Sequence, residues 1–207
     1  DPIEKPKSYK EDKDVVAFTM KEEYMLVQYM KSHCSQYNNM ILLALYTGMR
    51  IGEVLALTTD DINFDQDYGT IRVTKTLTKN KSGKTIVGSV PKTKNAKRSL
   101  HLDKKSKEVI ERAINEMKPN KKNMIFLRKD GKLYENSQVN GGFKRICKNA
   151  GIKVIVVKHK KNSKTKGIHY VNEKTSDVHV HMLRHTFATR CIEAGMDLAT
   201  LQILLFC

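Results

Sequence analysis

Apolar positions along this chain follow two different periods, and the switch between them sets the expected architecture. Residues 1–17 are polar and charged, with Pro2 and Pro6 among them, and predict a linker that leads into a domain at 18–207. Thr19 offers a helix cap, with Glu22 three residues on to complete a capping box, and the helix runs through Met30. Tyr37 to Thr47 is strongly apolar and helical, and Gly48 breaks it. A new helix then turns Ile51, Val54 and Leu55 inward and leaves Arg50 and Glu53 together on another side.

Between Thr70 and Leu102 the period shortens. Ile71 and Val73 alternate with polar residues, Lys79 to Gly83 reads as a turn, and Thr85–Val90 is a second strand. Pro91–Ala96 is another turn and Lys97–Leu102 a third strand, giving a small antiparallel sheet with lysine-rich turns. Helices follow at 104–117 and 136–149, with a short strand at Met124–Leu127 between them. Val154–Val157 and His169–Val171 predict a hairpin across the lysine-rich tip 158–166, an inserted element near 153–178. A last helical region starts near His179, pauses at Gly195-Met196-Asp197 and resumes through Leu198–Leu205, with Met196, Leu198 and Leu201 as core positions. The fold class is mainly α with a small antiparallel β-sheet (α+β), and 207 residues suffice for one full core.

Charge narrows the partner. The formal balance is +16, and it is clustered: from Lys75 to Lys107 there are eleven Lys or Arg and one acid, Asp103. Lys153 to Lys174 holds seven lysines against Glu173. Surplus concentrated in this way points to a polyanion, nucleic acid or an anionic membrane. The longest apolar runs, Met40–Tyr46 and Ile203–Cys207, fall far short of the ~20 residues a span requires, so a membrane route is not expected. The first residues lack the apolar core of a secretion signal. Cys34, Cys147, Cys191 and Cys207 stand singly, which suggests neither a disulfide framework nor a zinc knuckle and fits a reducing cytoplasm.

Two short stretches carry the candidate chemistry: Thr47-Gly48-Met49-Arg50-Ile51-Gly52-Glu53 and His181-Met182-Leu183-Arg184-His185-Thr186. Residues three apart share a helix face, which sets Arg50 beside Glu53 and His181 beside Arg184. Two guanidinium forks and an imidazole make a receptor for a phosphate that gains charge during reaction. Taken alone, Arg50 with Glu53 is equally a surface ion pair. His181 and His185 have the four-residue spacing of a helical metal pair, but Met182 stands where a zinc protease carries glutamate and no third ligand suggests itself. His185 is expected to be a buried, hydrogen-bonded histidine.

Together these residues resemble the catalytic domain of the tyrosine recombinases, the phage-integrase family. Thr-Gly-Met-Arg-Ile-Gly-Glu-Val-Leu-Ala-Leu at 47–57 is similar to the family's first arginine box, and His181 to Thr189 to its second. Pro91 to Leu100 resembles the sheet turn that holds the catalytic lysine, in the style of conjugative-transposon and temperate-phage integrases. The resemblance covers roughly residues 18–205.

It implies attack of a tyrosine hydroxyl on a DNA phosphodiester, giving a 3′-phosphotyrosine, with no metal and no cofactor. In that scheme Arg50 and Arg184 hold the non-bridging oxygens. His181 supplies a hydrogen bond or moves a proton, and Lys92 protonates the leaving oxygen, with Lys94 its rival. Glu53 orients its neighbours. Lys94, Lys97 and Arg98 are implied phosphate contacts on double-stranded DNA, in a bacterial cytoplasm, and the lysines of 158–166 are equally phosphate contacts or a disordered solvated loop.

The chain also departs from the pattern. After Leu201-Gln202-Ile203-Leu204-Leu205 the family continues with glycine, histidine and later the tyrosine, where this sequence has Phe206 and Cys207. All eight tyrosines precede the second box. The family's separate upstream helical domain is missing as well. The expectation is therefore a recombinase catalytic domain that is C-terminally truncated and inactive as this chain, or a non-catalytic DNA-binding or regulatory fragment. Apolar surface near Leu204–Phe206 points to self-association. A metal-dependent hydrolase built on His181 and His185 ranks last.

Overall fold

Helix α2 (Gln36–Thr47) is the spine of the domain: from Asn38 through Leu45 every residue is buried. Ser35 starts it by accepting the Asn38 amide on its hydroxyl at 3.1 Å. Gly48 ends it in the left-handed region, at φ 64°, which a side chain strongly disfavours. The computed structural model describes residues 17–64, 68–90, 97–152 and 178–206, with Phe206 described by its backbone only. Around α2 pack α1 (Met20–Ser32), α3 (Ile51–Leu55), α4 (Lys104–Glu116) and α6 (His181–Glu193). Helix α5 (Asn136–Asn149) packs on α1.

Local sequence explains most of these boundaries. Thr19 and Glu22 form the expected reciprocal box, and α1 runs two residues past its expected end. Asp103 caps α4 through the Ser106 amide at 2.8 Å. The fully buried Asn39 is not an orphan, because its amide spans α4: Nδ2 donates to Glu116 Oε2 at 3.0 Å and Oδ1 accepts from Arg112 Nε at 2.8 Å. Leu26, Met40, Leu43, Leu55, Ile110 and Phe143, each at 0 % exposure, lie in one core. Burying a side chain of this size contributes about 1.5–3 kcal/mol.

The β-structure differs from the single sheet expected. Strands β1 (Ile62–Phe64), β2 (Gly69–Val73) and β5 (Arg98–Leu102) form one antiparallel sheet, in the order β1-β2-β5, with Ile71 opposite Leu100. Strands β3 (Lys75–Lys79) and β4 (Thr85–Ser89) pair only with each other, Leu77 opposite Val87. The split has a packing cause. Ile71, Val73, Leu100 and Leu102 reach the core, whereas no residue of β3 or β4 is fully buried. That hairpin instead leans on α3, and a Cβ built on Gly52 would lie 2.9 Å from Thr76 Oγ1.

Met124–Leu127 is not a strand but a single bridge, Thr58 to Met124. Met124, Ile125 and Phe126 are consecutively buried, and the first two amides donate elsewhere, to Asn120 Oδ1 and the Leu57 carbonyl. The last helical region begins at His181, stops at Gly195 (φ 89°) and resumes as α7 (Leu198–Phe206). Of the three core positions expected there, Leu201 is buried, Met196 is half-buried and Leu198 is 66 % exposed, a correction for Leu198. The linker, the turn 91–96 with Lys92 and Lys94, and nearly all of the hairpin near 153–178 lie outside the described residues.

Candidate active site

Arg50 is placed by a helix cap. It precedes α3 with extended backbone (φ −64°, ψ 141°), and its N–H donates to Glu53 Oε2 at 2.9 Å while its Nη1 donates to Oε1 at 3.1 Å. The pairing expected from three-residue spacing is present, but it arises from a carboxylate folding back over an N-terminus and not from two neighbours on a helix face. Glu53 is 2 % exposed, while the Arg50 side chain keeps 48 % of its surface open. One partner is buried scaffold and the other faces outward.

Arg98 requires a correction. Expected with Lys97 as a phosphate contact, its side chain is instead 6 % exposed and forks onto Glu53, Nη1 to Oε1 at 3.1 Å and Nη2 to Oε2 at 2.7 Å. The signal that would have found this is parity along β5. Arg98 shares a face with Leu100 and Leu102, both buried, whereas Lys97, Ser99 and His101 are exposed. Burial pushes the Glu53 carboxyl up, but the bonds from Arg98 and then Arg50 outweigh it and hold it below the usual carboxylate range.

The second stretch opens α6. His181, its first residue, is exposed, and Arg184, one turn on, is 3 % exposed. Arg184 Nη1 donates to the Gly48 carbonyl at 2.7 Å across 136 positions of sequence, and Nη2 donates to the Leu205 carbonyl. Burial first, then the charge of Arg50, lowers the Arg184 guanidinium to about 10, which leaves it cationic at neutral pH.

His185 is not the buried, hydrogen-bonded histidine expected: it is half-exposed and lies edge-on to His181, ring centroids 4.5 Å apart at 88°. Burial, then His185, then Arg184 lower the His181 imidazole below its ordinary 6.5. His185 is lowered too, by burial and then by His179 and Arg184. His181 and His185 are therefore neutral at pH 7, able to accept a proton or donate through one nitrogen.

Both boxes open onto one cleft of about 240 Å³, lined by Arg50, His181 and Arg184 together with Met49, Thr76, Leu77 and Asn136, among others. Glu53 and Arg98 stand behind Arg50. Thr76, Leu77 and Asn136 were not anticipated. The first two arrive because Gly52 lets β3 approach α3, and nothing in the local sequence marks Asn136, the first residue of α5. His179, not anticipated either, faces His181 at 6.4 Å between ring centroids. Among the described residues there is no group of three or more His, Cys, Asp or Glu side chains placed to hold a metal ion, and no helix long and apolar enough to cross a membrane.

A helical domain with two small antiparallel sheets, and two arginine boxes converging on one cleft, define the catalytic-domain fold of the tyrosine recombinases. The chain belongs to the phage integrase family, whose model matches residues 17–205. It is similar to a XerC-like tyrosine recombinase of Caldanaerobacter subterraneus subsp. tengcongensis, 26 % identical over 210 residues, covering 93 % of this chain and 47 % of that protein. It is also similar to the transposase of transposon Tn916 from Enterococcus faecalis, 27 % identical over 185 residues, covering 84 % of this chain and 40 % of the relative. The chain thus spans less than half the length of these curated relatives.

Among solved structures, the Tn1549 transposon integrase in complex with circular intermediate DNA superposes with a TM-score of 0.71 at 24 % identity, over 94 % of this chain and 60 % of that one. The XerH site-specific recombinase bound to its difH substrate in a pre-cleavage complex gives 0.62 at 20 % identity, over 92 % and 47 %.

Proposed function

We propose that this chain provides the phosphodiester-binding core of a site-specific DNA recombinase that cuts and rejoins strands through a 3′-phosphotyrosine. One observation carries the reading: Arg50, His181 and Arg184, from boxes at opposite ends of the domain, line the same cleft. A phosphodiester seated there presents two non-bridging oxygens to Arg50 and Arg184, whose charge opposes the negative charge that builds as a fifth oxygen approaches phosphorus. Neutral His181 receives or relays the attacking hydroxyl's proton, with His185 as its support. Lys92 delivers a proton to the departing 5′ oxygen, with Lys94 as the rival donor. The basic segment 153–178, Lys97 and Lys94 add contacts to duplex phosphates, with residues 1–17 as a linker. The setting is bacterial cytoplasm, and no metal or other cofactor takes part.

The attacking group separates this reading from its alternative. None of the eight tyrosines follows the second box, so residues 1–207 bind and polarise a phosphodiester without a nucleophile at the family's position. A DNA-binding or regulatory module is the alternative reading, and adduct formation separates the two. Exposed Leu198 and Ile203 on α7 support self-association on DNA.

The test is a nicked suicide duplex incubated with the chain. Salt-sensitive binding without a protein–DNA adduct is the expected result. A covalent adduct formed by these residues overturns the assignment of the nucleophile, and no binding at low salt overturns the function.

A further inference from the structure

Four hydrogen bonds converge on the two oxygens of Glu53. Oε1 accepts from Arg50 Nη1 and Arg98 Nη1, and Oε2 from the Arg50 amide and Arg98 Nη2. Two bonds per oxygen saturate a carboxylate, so Glu53 has no acceptor left for a substrate proton. The two arginines it holds differ in exposure. The Arg98 side chain is 6 % exposed and its Nε has no hydrogen-bond partner among the described residues, where Glu53 is the acid that holds its charge. Arg50 is 48 % exposed, lines the cleft and gives Glu53 only one guanidinium nitrogen.

We propose that Arg98 is a positioning residue: by clamping both oxygens of Glu53 it leaves most of the Arg50 guanidinium available to the phosphate. The proposal rests on the cleft being a phosphodiester site. The physical argument is one of competition. Without Arg98, a buried carboxylate loses half of its donors, and leaving a buried charge unsatisfied is costly. The nearest remedy is the Arg50 fork, which turns inward to cover both oxygens and withdraws from the cleft. Arg98 thus acts on the substrate only through Arg50.

The probes are inorganic phosphate and a duplex oligonucleotide, applied to the full chain and its Arg98→Met, Arg98→Lys, Arg50→Ala and Arg50→Ala/Arg98→Met variants. Arg98→Met weakens phosphate binding about tenfold, a charge-assisted bond's worth. It changes binding less than twofold once Arg50 is already alanine. Independent, multiplying losses overturn the proposal. Arg98→Lys keeps the charge but not the fork and falls between; full binding by that variant overturns it as well, since charge alone would then suffice.

With the duplex, Arg98→Met lowers the salt slope by up to about 0.9 while Arg50 is present, because Arg50 leaves the phosphate, and leaves it unchanged once Arg50 is alanine, whereas a direct Arg98 contact would lower it by about 0.9 in both backgrounds. Ligand-free nitrogen spectra of Arg50 separate this proposal from the function beneath it. Arg98→Met alters rotation of the Arg50 guanidinium whether or not any phosphate binds. An unaltered signal sinks the positioning role, and failure of the unmodified chain to bind phosphate sinks only the phosphodiester site. If Arg98→Met does not fold, Arg98→Lys carries the same test, because its single ammonium cannot clamp both Glu53 oxygens; an Arg50 signal identical to that of the unmodified chain then sinks the positioning role.

Discussion

Arg184 donates to the carbonyl of Gly48 at 2.7 Å, so the second arginine box is bonded directly to the turn that opens the first. The same guanidinium reaches the Leu205 carbonyl and joins α2, α6 and α7 at one point. Its role is structural before it is chemical. Arg184→Lys has one compact ammonium in place of a fork and cannot span both carbonyls. Stranding one of them costs about 1–3 kcal/mol. Urea denaturation should show that loss, together with weaker duplex binding. Unchanged stability would mean that the bond across the two boxes contributes nothing.

Gly48 is the tightest point of that junction. Its φ of 64° suits glycine, and a Cβ there would lie 2.4 Å from Phe187 Cδ1 and 2.8 Å from Leu205 Cδ2. Gly48→Ala combines a left-handed side chain, about 1–2 kcal/mol, with overpacking of about 1–3 kcal/mol. The second effect pushes α6 and α7 away from α2, so duplex affinity falls along with the thermal midpoint. A fall in the midpoint with affinity intact would show that the boxes tolerate the shift.

The helical half of the fold was legible because its signals are local. Thr19 with Glu22, and Gly48 after an apolar run, define ends without help from the rest of the chain. Strand partnership is not local. Val73 and Leu77 alternate alike, and only burial of Leu100 and Leu102 against β2 decides that β5 leaves the β3–β4 hairpin aside. The cleft's charged residues were legible as motifs. Their division of labour was not, since a lysine-rich run hides Arg98, and the outward turn of His185 depends on how α6 lies in the fold.

The histidines make a prediction in pH. His181 is held below its ordinary 6.5 by burial and then by His185. Its imidazole proton resonance should titrate below 6.5, and His185→Asn should move that midpoint up by removing the foremost of the four charged neighbours that lower it. The sign for stability follows. A depressed native midpoint means that the unfolded chain binds more protons between that midpoint and 6.5, so stability rises with pH across this window. The contribution is complete above 6.5 and is lost as pH falls through the native midpoint. Solvent exposure of both rings keeps it small. A His181 midpoint above 6.5 would contradict the electrostatic account of the cleft.

The face of α6 turned away from the cleft carries the last prediction. Thr186 is fully buried, and its Oγ1 accepts the Phe18 amide at 2.9 Å while donating to the Met182 carbonyl at 2.8 Å. Arg190, one turn on, donates to the Phe18 carbonyl at 2.7 Å and to Glu23 Oε2 at 2.7 Å. The segment entering α1 is therefore stitched to the helix that carries His181 and Arg184. Thr186→Val keeps the shape but strands the Phe18 N–H, at a cost of about 1–3 kcal/mol, whereas Thr186→Ser keeps the acceptor and loses only a methyl group. Hydrogen exchange at the Phe18 amide should accelerate in the valine variant and stay slow in the serine variant. Equal exchange in both would show that packing of Phe18 against Phe143, and not the hydroxyl, holds the entry segment in place.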